Sequence, residues 1–223
     1  MDNKLCLGSA QFDMNYGISR KSANLKIKEI YSILDFAYKK NICCIDTANS
    51  YGDTEKILGK YDRINNFKII TKFNPSNLNI DEFKTIFLNQ IDESSKKLNN
   101  QINTLLLHDI SQLDSQKIQL INELVFFSKQ KRIVNKFGIS IYSPNEYDFI
   151  ENILNIDVVQ LPLNILDQSL LQNNYLKLIK SKNIEIHVRS IFLQGLLLMN
   201  INEIPKYFTK WYNIFENWNE YLL

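Results

Sequence analysis

Short apolar runs alternate with longer amphipathic segments along the whole chain, and no linker rich in Pro, Gly or Ser separates them. This alternation is typical of βα units that build a parallel sheet. The runs that we interpret as strands are Lys4–Gly8, Ile42–Asp46, Phe67–Lys72, Ile102–His108, Asn135–Ser140, Asp157–Leu161 and Ile184–Val188. With 223 residues in all, the sequence predicts one α/β domain over residues 1–223.

Apolar residues at helical spacing fill the segments between these strands. One such segment carries Ile30, Leu34 and Ala37, and another follows Asp81, which we interpret as its N-cap. The residues Ser143-Pro144-Asn145-Glu146 combine a cap, a proline at the first position and a glutamate at the third, and they predict a helix from Pro144 to about Leu154. A last apolar stripe comprises Phe208, Trp211, Phe215, Trp218 and Leu222.

Composition narrows the classes of function. A net charge of +2 is too small to argue for a nucleic-acid partner. The sequence shows no charged-then-apolar leader and no apolar run long enough to cross a bilayer, so we expect a cytoplasmic protein with no membrane partner. Cys6, Cys43 and Cys44 offer neither an even disulfide framework nor spaced metal ligands, so we expect buried thiols and no metal site.

Polar residues fall at or just after the carboxyl ends of the predicted strands. They are Asp46, Lys72, His108, Ser140, Gln160 and Arg189. In a (β/α) barrel all these ends open on one face, which carries the active site in enzymes of that fold. A doubly wound sheet is the alternative, but no Gly-rich phosphate loop follows the first strand. We therefore predict a TIM-type barrel.

Each of these residues alone also has an ordinary structural interpretation. An Asp at a strand end is usually a cap, and a Lys there is usually solvated. Tyr51 and His108 could equally be packing residues, and we interpret His187, which fits no motif, as structural. The order and spacing of Asp46, Tyr51, Lys72 and His108 along the chain favour a functional interpretation over the structural one.

Asp46 and Tyr51 have the spacing Asp-x4-Tyr-Gly, and Lys72 and His108 follow in the contexts Ile-Thr-Lys-Phe and Leu-Leu-His. In this the chain resembles the aldo-keto reductase family. The resemblance extends over nearly the whole chain through the segments Leu7-Gly8-Ser9-Ala10-Gln11-Phe12, Phe137-Gly138-Ile139-Ser140, Tyr142-Ser143-Pro144, Val159-Gln160-Leu161-Pro162-Leu163-Asn164 and Leu193-Gln194-Gly195-Leu196-Leu197. It is similar to bacterial members found among polysaccharide and sugar-modification genes.

The resemblance implies an oxidoreductase that reduces a small aldehyde or ketone, with a sugar-related carbonyl as one possibility. Hydride addition leaves negative charge on the carbonyl oxygen, and a tyrosine with an unperturbed pKa of about 10 needs assistance to protonate it. Tyr51 would be the proton donor, Lys72 would lower its pKa, and Asp46 would keep Lys72 charged. His108 would orient the carbonyl.

The hydride requires a nicotinamide dinucleotide, NADP or NAD, because no side chain supplies one. The resemblance assigns Ser140 and Gln160 to its carboxamide, and Gly8, Ser9, Arg189 and Ser190 to the rest of the cofactor. Two residues depart from the family pattern. Ile141 replaces an asparagine that binds the carboxamide, and Arg189 replaces a tyrosine that stacks on the ring, where a guanidinium can also lie flat.

Seven strands are one fewer than the eight that close a barrel in about 250 residues. We therefore expect an open side between Lys4–Gly8 and Ile184–Val188, and we expect aggregation, self-association through this edge or reduced activity. Because the family's residues for the 2′-phosphate follow an eighth strand, we also expect weak cofactor binding with little preference for NADP. Two alternatives stay open: a catalytically silent homologue that binds a nucleotide or a partner protein, and a lyase that uses Lys72 as a Schiff-base nucleophile.

Overall fold

Seven parallel strands form one sheet, and each pairs with its neighbours in sequence. The computed structural model describes residues 3–19, 25–75, 78–99, 102–111, 113–150 and 154–222. The strands are β1 (Leu7–Gly8), β2 (Cys44–Asp46), β3 (Lys68–Phe73), β4 (Ile102–Leu107), β5 (Val134–Ser140), β6 (Val158–Pro162) and β7 (Glu185–Arg189). All seven predicted strands are confirmed, with bounds that differ by one to three residues.

Helices connect the strands and cover the outer face of the sheet. They are α1 (Ile27–Lys39), α2 (Thr54–Gly59), α3 (Ile80–Leu98), α4 (Ser115–Gln130), α5 (Pro144–Ile150), α6 (Tyr175–Ser181) and α7 (Tyr212–Leu222). The expected face of α1 is buried, with Ile30, Leu34 and Ala37 at most 3% exposed. No helix among the residues described is long and apolar enough to cross a membrane.

One predicted helix end needs correction, and another lies outside the described residues. The N-cap of α3 is Asn79 and not Asp81, because the Asn79 side chain accepts a hydrogen bond from the backbone N–H of Glu82 at 2.9 Å. The helix α5 begins at Pro144 as predicted and is described only to Ile150, since residues 151–153 lie outside the described ranges.

The apolar stripe near residue 215 is only partly helical. Phe208 and Trp211 lie in a 3-10 segment, Lys206–Trp211, that precedes α7. Phe215 is buried, whereas Trp211 and Leu222 are 37% and 54% exposed. The stripe therefore packs through its centre and not along its whole length.

The apolar core has a large outer part and a small inner part. Between the sheet and its helices, one cluster joins β3 to β7 with α3 to α6, and a second joins β1 to β3 with α1 and α2. Inside the curve of the sheet, Ile70, Leu106 and Val158 pack together with Cys44. The inner and outer faces alternate along each strand, so the polar residues near the strand ends that point inward share one mouth.

In the described part of the chain, β1 pairs only with β2 and β7 pairs only with β6. The sheet is thus a TIM-type barrel that lacks its eighth strand and is open between β1 and β7, as the sequence predicts. The loops that follow these two strands nevertheless touch. The Ser19 hydroxyl donates to the Gln194 carbonyl at 3.3 Å. Gly195 has φ +88°, and a Cβ there would lie 2.0 Å from the Ser19 hydroxyl, so this contact requires glycine.

Candidate active site at the carboxyl ends of the strands

The predicted polar residues converge on one mouth of the open barrel. Asp46 ends β2, Lys72 lies one residue before the end of β3, and His108 directly follows β4. Ser140 ends β5, Gln160 is central in β6, and Arg189 ends β7. Parallel register carries all six to the same end of the sheet, and Ser140 is paired directly with Gln160.

A buried ion pair lies at the centre of this mouth. Lys72 Nζ donates to both carboxylate oxygens of Asp46, at 2.8 and 2.9 Å, and to the Thr47 carbonyl at 2.8 Å. The Lys72 side chain is 2% exposed and that of Asp46 is 21% exposed. Nζ donates to three acceptors, whereas a Schiff-base nucleophile needs a free lone pair on that nitrogen, so this geometry disfavours the lyase alternative.

Tyr51 lies beside this pair, in the loop between β2 and α2. Lys72 Nζ lies 5.2 Å from the centre of the Tyr51 ring. Burial raises the pKa of Tyr51 above its ordinary value, and the Lys72 ammonium opposes this rise. Lys72 therefore lowers the pKa of Tyr51 as predicted. The net shift of that pKa is nevertheless upward, opposite to the prediction, because burial has the larger effect. The phenol is protonated at neutral pH.

His108 also lies beside Tyr51. The two ring centres are 6.2 Å apart and the rings meet edge to face. Burial lowers the pKa of His108, and the positive charges of Lys72 and Arg189 lower it further. The imidazole is therefore neutral at neutral pH and can donate one hydrogen bond and accept another.

We expect the ring of His108 to titrate with a midpoint below 6.5, since burial and two nearby cations disfavour the imidazolium. His108 and His187 are the two histidines of the chain. A His187→Gln variant therefore leaves one imidazole resonance, and its chemical shift followed against pH by NMR measures the midpoint directly. A midpoint at or above 6.5 would contradict the effect that we assign to burial and to the two cations.

Gln160 connects the ion pair to the predicted cofactor residues. Its Nε2 donates to Asp46 Oδ1 at 3.1 Å, whereas its Oε1 is buried and has no hydrogen-bond partner among the described residues. A buried carbonyl oxygen without a donor is costly, and it suits a ligand that brings an N–H group. Ser140, 2% exposed, lies next to it in register. These two side chains fit a carboxamide.

Arg189 reaches from β7 across β6 to the end of β5. Its Nη2 donates to the Ile141 carbonyl at 3.1 Å, and its guanidinium carbon lies 4.1 Å from the centre of the Tyr142 ring. Nη1 lies 3.4 Å from the Ser190 hydroxyl, and Nε is buried with no partner in the part of the chain that the structure describes. The side chain of Ile141 is buried and donates nothing, as expected, but its carbonyl fixes the guanidinium.

The remaining predicted cofactor residues lie at the edges of the mouth. Ser9 is fully buried and its hydroxyl donates to the Asp46 carbonyl at 2.9 Å, so it already has a structural partner. Gly8 is exposed, and nothing lies within 4 Å of the position that a Cβ would take. Ser190 lies beside Arg189, whose Nη1 is 3.4 Å from its hydroxyl, and its carbonyl accepts a hydrogen bond from Asn164 Nδ2 at 3.2 Å.

Three features of the site were not identified from the sequence. The Thr47 carbonyl is a backbone acceptor that no residue type reveals. Tyr142 lies within a motif of the resemblance, but only the fold shows that it packs on Arg189. Glu55, 2% exposed, accepts hydrogen bonds from Thr71 at 2.6 Å and from Ser94 at 3.0 Å, and so ties α2 to β3 and α3 beside Lys72.

We expect Glu55→Ala to destabilise the protein by about 1–3 kcal/mol, because two buried hydroxyls lose their acceptor. Glu55→Gln keeps one carbonyl acceptor and should cost less. The free energy of unfolding in urea measures both variants. Glu220→Ala, at an exposed position of α7, is the matched control and should change it by less than about 0.5 kcal/mol. An equal effect of Glu55→Ala and Glu220→Ala would contradict the structural role of Glu55.

Comparisons with known proteins agree on one family. The model of the aldo/keto reductase family matches residues 4–221. Among solved structures, an aldo-keto reductase of Bacillus halodurans in its holo form has a TM-score of 0.71 and 21% identity, with 87% of this chain and 64% of that chain covered. A glycerol dehydrogenase of Gluconobacter oxydans has a TM-score of 0.70 and 18% identity, with 91% and 65% covered.

An aldo/keto reductase of Klebsiella pneumoniae in complex with NADP and acetate has a TM-score of 0.68 and 14% identity, with 87% of this chain and 68% of that chain covered. No curated protein sequence matches the chain. The chain spans about two thirds of the length of these three structures. At these identities the structures show a shared fold.

Proposed function

The chain belongs to the aldo/keto reductase family, and from that premise we propose that it is an oxidoreductase that reduces an aldehyde or ketone with NADPH or NADH. The observation that carries the proposal is the group formed by Asp46, Lys72, Tyr51 and His108. An ion-paired lysine, a protonated phenol and a neutral imidazole lie at one mouth, and each has the protonation state that carbonyl reduction needs.

Tyr51 is the proton donor of this proposal. When bound, the nicotinamide supplies a hydride to the carbonyl carbon, and the oxygen then requires a proton. Tyr51 gives up its phenolic proton and becomes a phenolate, which the Lys72 ammonium beside its ring stabilises. Asp46 and the Thr47 carbonyl hold that ammonium in position.

His108 positions the substrate. Its neutral ring borders Tyr51 edge to face, so an N–H of His108 and the phenol of Tyr51 can converge on one carbonyl oxygen. Two donors at that oxygen also stabilise the negative charge that develops on it.

Ser140 and Gln160 would hold the carboxamide of the cofactor, as the unpartnered Gln160 Oε1 supports. Arg189 would lie against the nicotinamide ring with the face of its guanidinium that is turned away from Tyr142. Gly8, Ser9 and Ser190 would line the path of the phosphates. We propose that the cofactor is NADP or NAD and that the chain binds it weakly. We also propose that the protein is cytoplasmic and acts in polysaccharide or sugar metabolism.

The test is a panel of aldehydes and sugar-like carbonyl compounds with NADPH and with NADH, followed at the absorbance of the reduced nicotinamide. Turnover that requires Tyr51 supports the reductase. Cofactor binding without turnover of any carbonyl compound would instead favour the silent homologue. Light scattering on the same samples measures whether the open edge between β1 and β7 leads to self-association, which we also propose.

A further inference from the structure

The two cations at the mouth are paired differently. The Lys72 ammonium is matched by the Asp46 carboxylate, and burial together with nearby cations keeps His108 neutral. Arg189 adds a second permanent positive charge, and it has no carboxylate partner among the residues that the structure describes. Asp109, next to His108, also places a negative charge within range of that imidazole, so what distinguishes Arg189 is the lack of a direct carboxylate contact in the described part of the chain.

The guanidinium of Arg189 is held in place and still has N–H donors that are available for a ligand. The Tyr142 ring covers one face, and the Ile141 carbonyl accepts from Nη2. Nε is buried and donates to nothing that the structure describes, and a guanidinium has five N–H donors in all. A buried donor without an acceptor is costly, and a charged one gains most from a carboxylate, whose two oxygens match the guanidinium fork.

The position of this charge indicates which ligand it serves. Arg189 ends β7, and its Nη2 donates to the carbonyl of Ile141, the residue that follows β5. An anion bound by the N–H edge of Arg189 therefore lies over the carboxyl ends of the strands, at the same mouth as His108 and Tyr51. Stacking of a nicotinamide would use the face of the guanidinium and would leave this edge free.

We propose that Arg189 binds a carboxylate on the substrate, so that the preferred substrates are oxo acids and not neutral aldehydes or ketones. This inference rests on the proposed reductase function for its biological meaning, but the binding itself is independent of turnover. Phosphate oxygens of a dinucleotide offer similar anionic chemistry, and the experiment separates them from the substrate's carboxylate.

The experiment uses two aldehydes of nearly equal shape, 4-carboxybenzaldehyde and its neutral amide, 4-carbamoylbenzaldehyde. Calorimetry without cofactor measures binding to the parent chain, to Arg189→Gln and to the control Arg63→Gln. Arg63 is paired with Asp35 near the start of β3, at the opposite end of that strand from Lys72. We expect the parent and Arg63→Gln to bind the acid at least ~10-fold more tightly than the amide, and Arg189→Gln to lose that preference.

A second arm titrates inorganic pyrophosphate and NADP. If Arg189→Gln weakens these ligands and leaves the preference for the acid unchanged, Arg189 serves the cofactor phosphates and the inference is overturned. Equal binding of acid and amide by the parent also overturns it. Turnover is measured separately with both aldehydes. If both aldehydes are reduced at the same kcat/KM, the role proposed for Arg189 is wrong and the proposed reductase function stands. If the acid binds in an Arg189-dependent way but is not reduced, the reductase function is wrong and the role of Arg189 stands.

Discussion

Tyr51→Phe should lower kcat for carbonyl reduction by about 10²- to 10⁴-fold, the usual contribution of a positioned general acid. The substitution removes only the phenolic oxygen. The ring remains available to Lys72 and to His108, so the melting temperature and the affinity for the cofactor should stay close to those of the parent. Steady-state kinetics with the best aldehyde of the panel, together with thermal unfolding, measure both quantities.

Tyr207→Phe is the matched control, because it makes the same change on a ring that is 78% exposed in the 3-10 segment before α7. Its kcat should equal that of the parent. A Tyr51→Phe variant that reduces its substrate at the parent rate would show that another group gives the proton, and the role proposed for Tyr51 would be wrong.

Asp46→Asn should destabilise the protein by roughly 3–5 kcal/mol, the range for removal of one partner from a buried ion pair. The loss arises because the Lys72 ammonium, 2% exposed, would retain only neutral acceptors. The partial exposure of Asp46 places the expected loss near the lower end of this range. Chemical unfolding in urea, with the slope m compared between variants, measures it.

Asp92→Asn is the control for this experiment, since Asp92 pairs with Lys96 on the exposed surface of α3. Such a pair contributes about 0.3–0.5 kcal/mol, so its loss should be small. A double variant, Asp46→Asn with Lys72→Met, removes the uncompensated charge and should regain part of the lost stability. If Asp46→Asn costs no more than Asp92→Asn, the ion pair at the mouth does not stabilise the fold.

Most of the strands could be predicted from the sequence because they are apolar runs, and burial on both faces of a parallel sheet demands such runs. The edge strands β1 and β7 are only partly buried. The ends of the strands were less predictable. The first predicted strand begins at Lys4, but only Leu7 and Gly8 pair with β2. Both Asn79 and Asp81 can cap α3 by residue type, and the choice depends on backbone angles that the sequence does not express.

That the site residues share one mouth could be predicted because each lies at or near the carboxyl end of a parallel strand, but the energetics of the site could not. The sequence indicates that Lys72 lowers the pKa of Tyr51, yet it does not reveal how deeply the phenol is buried, and burial decides the net direction. The hydrogen bond between Gln160 and Asp46 joins residues 114 positions apart and depends on side-chain rotamers. The same holds for the stacking of Arg189 on Tyr142.

That amide of Gln160 has a thermodynamic consequence of its own. One end donates to Asp46, which holds Lys72 beside Tyr51, and the other end presents an unpartnered oxygen to a ligand. Any ligand that engages this oxygen polarises the amide and changes the strength of its bond to Asp46. Ligand affinity and ionisation of the phenol are then two legs of one linkage cycle. By reciprocity, the factor by which the ligand shifts the acidity of Tyr51 equals the factor by which the phenolate shifts the ligand's dissociation constant.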